Sequence, residues 1–192
     1  MAKNSRYNVQ FRRKRSGRTN YTKRLHLLLA RKPRLVIRKT LTGMIAQVVE
    51  YQPDGDKVLI TVNSKQLTKF GLPIVNGNIP VAYLTGLLAA KQAKAHKITE
   101  VVVDLGLHQL TDKSRTFALI QGAREGGLKI NADEKVFPAA DRINGKHIEQ
   151  YAATLKGDAD AYKKQFGAYL KSNVDPSTIS QLYAKVKAAI VK

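Results

Sequence analysis

The chain has 192 residues, with 34 Lys and Arg against 14 Asp and Glu for a formal charge of +20, 43% hydrophobic residues and no Cys. That length suits one core domain with extensions or two small domains, and the hydrophobic share excludes wholesale disorder. Without Cys there can be no disulfide, thiolate metal site or cysteine nucleophile, which fits a cytoplasmic setting, and so large a charge calls for a polyanionic partner.

Taken in chain order, the charge comes first. Residues 1–39 hold fourteen Lys or Arg, and the first acidic residue is Glu50. From Met1 to Thr22 apolar residues are too few to offset chain entropy, so this stretch should not fold alone. Tyr7, Val9, Phe11 and Tyr21 interleave with the cations. Guanidinium forks suit phosphate, and aromatic rings stack on exposed bases. The pattern predicts a nucleic-acid-binding arm that orders on its partner. It lacks the apolar face of a membrane-surface helix, and no run of about 18 apolar residues occurs anywhere, so neither a membrane span nor a membrane partner is expected. Nor does an apolar stretch follow the basic start, as a secretory signal requires.

A short helix is predicted over 21–30, with Leu25, Leu28 and Leu29 along one edge, ended by Lys32-Pro33. Strands follow over 34–39, 44–51 and 57–62, with the Pro53-Asp54-Gly55-Asp56 turn before the third; together they read as an antiparallel meander. Asn78 and Pro80 open a helix running to about His96. The segment 98–105, with its Val101-Val102-Val103 run, predicts a strand buried on both faces. A helix over 114–125 stops at Gly126-Gly127, and Leu128-Lys129-Ile130 predicts a last short strand. Beyond Pro138 the pattern is helical, over 145–155, 158–171 and from Asp175-Pro176-Ser177 to the end. That last helix needs a surface to pack on, either the chain's own core or a neighbouring macromolecule. The expected fold is α/β: a mixed sheet, made of an antiparallel meander plus strand-helix-strand-helix, with helices packed on it. The expected division is an arm and short helix over 1–29, a core domain over 30–132 and a mostly helical extension over 133–192.

Chemistry is hard to find. His26, His96, His108 and His147 show no metal-ligand spacing. Asp104 follows a strand run, where catalytic carboxylates of α/β enzymes sit, but Asp112 and Glu125 are poorly spaced to join it in a metal-dependent nuclease; pairing with a nearby Arg is the simpler role. There is no phosphate-binding glycine loop and no nucleophile elbow. No catalytic residue, metal, cofactor or small-molecule substrate is expected.

Four stretches together resemble one family: the archaeal and eukaryotic-type large-subunit ribosomal protein that binds 5S ribosomal RNA. They are the run from Arg6 to Tyr21 continuing through Arg24 to Arg38, then Val102-Val103-Asp104-Leu105-Gly106, Gly122-Ala123-Arg124-Glu125-Gly126-Gly127-Leu128, and Gly145-Lys146-His147-Ile148-Glu149-Gln150-Tyr151-Ala152. The similarity spans about residues 3–155, and the length is that of an archaeal member. It implies a compact mixed α/β domain in the large subunit, an arm and adjacent surface bound to 5S ribosomal RNA, attachment of that RNA to the large-subunit ribosomal RNA in the central protuberance, and the fifth large-subunit protein as a neighbour. The residues expected to carry RNA binding are Arg6, Arg12, Arg13, Lys14, Arg15, Arg18 and Arg24 on phosphates; Tyr7, Phe11 and Tyr21 on bases or sugars, or as anchors; and Arg31, Lys32 and Arg34 extending the basic surface onto the domain.

Overall fold

The computed structural model describes residues 8–191. The arm contributes one helical turn, α1 (Arg12–Arg15), and the short helix α2 (Tyr21–Leu29). A four-stranded mixed sheet follows, built from β1 (Arg34–Lys39), β2 (Met44–Glu50), β3 (Lys57–Asn63) and β4 (Val102–Asp104) in the order β3-β2-β1-β4. The first three strands form the antiparallel meander, and β4 lies parallel to β1. A parallel neighbour needs a crossover. Here it is a 3-10 helix at Ser64–Phe70 and the long helix α3 (Ile79–Ala95).

Strand alternation gives the sheet two unlike faces. Leu35, Ile37, Met44, Ala46, Val48, Ile60 and Val62 point to one side and are at most 5% exposed. Val36, Gln47 and Thr61 lie in register on the other side, which no helix of the core covers. A register shift between Val48 and Val49 leaves Leu59 without a partner and sets Val58 opposite Val49 on that open face.

α3 lies on the closed face. The Asn78 side chain caps it by accepting from Val81 N (3.0 Å), and Pro80 occupies the first turn. It is apolar nearly all round, the mark of a helix buried on all sides: the sheet, α4 (Arg115–Glu125) and the C-terminal helices enclose it. α3 and α4 cross at glycines. A Cβ on Gly86 would stand 2.0 Å from Leu119 O, and one on Gly122 would stand 2.1 Å from Tyr83 O. Gly127, at φ +99°, ends the helix, with Leu128 N donating to Ala123 O.

Two expectations are corrected. The segment 98–105 is a strand only over Val102–Asp104, and Val102 and Val103 are half-buried. β4 is an edge strand beside an open face, so only one side of it is covered. Leu128–Ile130 makes a single parallel bridge, Lys129 with Glu100, and no strand.

The extension is α5 (Ala140–Asn144), α6 (Lys146–Leu155), α7 (Ala159–Lys171), which bends at Phe166, a 3-10 turn at Pro176–Thr178, and α8 (Ile179–Val191). α8 packs on α3 within the chain's own core. Its Ile179, Tyr183, Val186 and Ile190 are at most 4% exposed. Asn78 Nδ2 donates to the Tyr183 hydroxyl (3.1 Å), tying the last helix to the start of α3, and Glu149 Oε1 accepts from Ser180 N (2.8 Å).

Candidate nucleic-acid interface

The arm closes over the open sheet face. Phe11 and Tyr21 hold its ends together, their rings tilted with centroids 5.0 Å apart. Between them, Arg13 Nε donates to Thr19 Oγ1 (2.8 Å), Gly17 turns the chain at φ +63°, and Asn20 caps α2 by accepting from Lys23 N (3.0 Å). Arg12, Arg13, Lys14, Arg15 and Arg18 all project into solvent. Arg6 and Tyr7 lie outside the described residues. The apolar edge expected for α2 does not face the core: Leu25 and Leu29 are exposed, and no residue of the helix is buried.

Charge attaches α2 instead. Arg24 makes a bidentate pair with Asp56 in the β2–β3 turn (2.8 and 2.9 Å), and Lys23 Nζ donates to Gly106 O (3.1 Å). Arg34, 2% exposed, reaches from β1 to two carboxylates: Nη2 to Asp56 (2.6 Å) and Nη1 to Asp104 (2.8 Å). Arg38 Nη1 donates to the main-chain oxygens of Ile37 and Asp104. Asp104 also accepts from Gly106 N (2.8 Å), fixing the loop after β4. The result is an alternating chain, Arg24–Asp56–Arg34–Asp104–Arg38, running from the arm across the sheet.

Its electrostatics follow from this geometry. Burial alone would raise the Asp56 carboxyl, but hydrogen bonds and charge from Arg24 and Arg34 outweigh it and hold the group below the usual carboxylate range. The hydrogen bond to Asp56 raises the Arg24 guanidinium despite some burial. His108, near the far end, is pushed down by burial and then by Lys39, Arg38 and Arg115, so it is neutral at pH 7 and senses the local positive potential.

The expected residues thus fall into three places. The α1 cations, Arg18, Arg31 and Lys32 are exposed; Arg31 sits at φ +50° after α2, and Lys32 pairs with Glu100 (2.7 Å). Arg24 is bound to a carboxylate at the arm's root. Arg34 lies in the interior, with both terminal nitrogens on carboxylates, and it positions the arm instead of extending an exposed basic surface. Sequence reasoning missed Asp56, whose only visible role was in a turn. The signal was the scarcity of acid: Glu50, Asp54 and Asp56 are the only acidic residues before Glu100. Asp104 takes the simpler of its two foreseen roles, as a partner of Arg34 and Arg38.

Between arm and sheet lies a cleft of about 500 Å³. Arg13, Arg18, Tyr21 and Lys23 form its rim, and Val36, Gln47, Val49 and Val58 belong to its floor. No group of three His, Asp or Glu able to hold a metal occurs among the described residues. No helix among them is long and apolar enough to cross a membrane.

An α/β scaffold that holds a sheaf of cations, unpaired among the described residues, beside an open sheet face defines a nucleic-acid-binding protein. Comparison with known proteins narrows the class. Residues 5–100 match the family model described as ribosomal large subunit proteins 60S L5, and 50S L18. The chain is 43% identical over 191 residues to the large ribosomal subunit protein uL18 of Methanococcus maripaludis, a match covering 100% of this chain and 99% of that protein. The chain therefore belongs to this family of large-subunit ribosomal proteins, in its archaeal form. It is a structural constituent of the large subunit of the cytoplasmic ribosome and not an enzyme, with ribosomal RNA and other ribosomal proteins as its partners.

Proposed function

We propose that this protein binds 5S ribosomal RNA through its arm and the adjoining open sheet face, and helps attach that RNA to the large-subunit ribosomal RNA in the central protuberance, beside the fifth large-subunit protein. The observation that carries this reading is the placement of charge: fourteen cations precede the first acid in the sequence, and those of α1 have no carboxylate partner among the described residues. Arg12, Arg13, Lys14, Arg15 and Arg18 neutralise phosphates, as does Arg6, and Arg31 and Lys32 continue the track. Phe11 and Tyr21 anchor the arm or stack on a sugar or base, and Tyr7 has the same chemistry. Arg24 and Arg34 hold the arm in register through Asp56 and Asp104.

The same reading divides the chain by role: 1–29 for RNA, 30–132 as the core and 133–192 as a helical buttress. The buttress shares the core's hydrophobic cluster, since Ile143, Ala152 and Phe166 are buried in it with Leu84 and Leu119.

The test is competition at physiological salt, with labelled 5S ribosomal RNA challenged by transfer RNA and duplex DNA. Retention of the 5S RNA supports the reading; equal displacement by all three competitors refutes it.

A further inference from the structure

We propose that the cleft between arm and sheet holds one unpaired nucleotide of the RNA, with its base against Val36 and Val58 and its amino edge on Gln47. This rests on the RNA-binding reading above and adds where and how a base is read.

The floor is two cross-strand rows. Asp104, Val36, Gln47 and Thr61 are in register across all four strands, and Val102, Arg34, Val49 and Val58 form the next row. Val36 is half-buried and Val58 exposed, so both can meet a base beside the Gln47 amide, while the buried Val49 closes the floor between them. Gln47 Nε2 donates to Thr61 Oγ1 (3.1 Å), which orients the amide and leaves Oε1 to accept from a ligand. An acceptor there suits a base carrying an exocyclic amine and not the O4 edge of uracil.

Size and charge agree with this occupant. The volume lies in the usual range of ligand pockets, about 300–1,000 Å³. The two carboxylates in the cleft, Asp56 and Asp104, are both bound to Arg side chains and so do not repel a phosphate. Arg13 keeps both terminal nitrogens without a partner among the described residues, as does Arg18, and both stand on the rim where the sugar-phosphate would pass. In RNA, sequence is read mainly from splayed-out, unstacked bases, because the major groove of the duplex is too deep and narrow for side chains.

The experiment compares the full chain with Gln47→Ala and Val58→Ala, using 5S ribosomal RNA and dimethyl sulfate probing of adenine and cytosine edges. Each variant is expected to bind about five- to tenfold more weakly, the loss of one polar or apolar base contact. The salt dependence should not change, because no phosphate contact is removed. The wild-type protein should protect an unpaired adenine or cytosine that stays reactive with Gln47→Ala. Wild-type affinity and an unaltered protection pattern in both variants would overturn the proposal. Gln47 is half-buried and Val58 exposed, and an unchanged urea midpoint verifies that the variants fold. Equal binding of 5S and transfer RNA would sink the 5S reading alone, since a protection that depends on Gln47 is readable on either RNA.

Discussion

At the scale of single residues, the decisive feature is how a buried guanidinium is tolerated. Arg34 is almost wholly excluded from water, a large desolvation cost that only paired, hydrogen-bonded partners can offset. Asp104 and Asp56 supply both for the two terminal nitrogens, while Nε has no partner among the described residues. Asp104→Ala should therefore destabilise the fold by about 3 kcal/mol, at the low end for breaking a buried pair because Asp56 still faces Arg34. Asp56→Asn keeps a side-chain oxygen for Arg24 and Arg34 and leaves Arg34 paired with Asp104, so it should cost less, about 1 kcal/mol. Urea midpoints at constant m-value check both. The Asp56 carboxyl also sets a pH dependence. A carboxylate whose folded-state pKa is depressed stabilises the fold above its unfolded value, about 3.9, and loses that contribution as pH falls through the lower folded value. Attachment of α2 is accordingly expected to be intact from neutral pH down to about 5 and to loosen below about 4. Hydrogen exchange of the α2 amides should show this in the wild-type protein, and the low-pH change should be smaller in Asp56→Asn.

Among the elements, the α3–α4 crossing is the most constrained, because main chain meets main chain. Gly86→Ala or Gly122→Ala would place a methyl at about 2 Å from a carbonyl oxygen. Alanine's helix propensity, about 1 kcal/mol better than glycine's, cannot offset helices forced apart, and we expect a net loss of about 3 kcal/mol from overpacking. Gly167 is the counter-case within α7: a Cβ there meets nothing within 4 Å, so Gly167→Ala should raise the melting temperature, by up to about 1 kcal/mol of stability. Melts followed by circular dichroism separate the two signs. The elements most legible in the sequence were those with local signals. Asn78 and Pro80 announced α3, Pro53 to Asp56 announced the turn, and alternation announced β1 to β3. What stayed hidden depends on partners distant in sequence. The Val101–Val103 run looks fully buried, yet the sheet ends beside it. Leu25 and Leu29 look like a core-facing edge, yet α2 is held by Arg24 and Lys23 on groups 32 and 83 residues away. Of the candidate site, the cations could be read directly, whereas Asp56, Gln47 and the cleft required the register of four strands.

The whole molecule is asymmetric in charge. One end carries unpaired charge on little hydrophobic support; the other, through α8 on α3, seals the core without a comparable excess of cations. That asymmetry predicts how binding responds to salt. Neutralising about six phosphates releases their counterions, so log affinity should fall against log salt with a slope of roughly −4 to −5. Deleting residues 1–19 leaves the Asn20 cap and the Arg24–Asp56 pair in place, so the core should fold unchanged while the slope shrinks by several units. Replacing Arg13 alone should lower the slope by about one. Removing two cations from α7, in the double change Lys163→Gln and Lys164→Gln, should leave the slope as it was. A slope equally sensitive to cations at both ends would mean that the RNA lies along the whole surface, and the arm would then be one contact among many instead of the principal one.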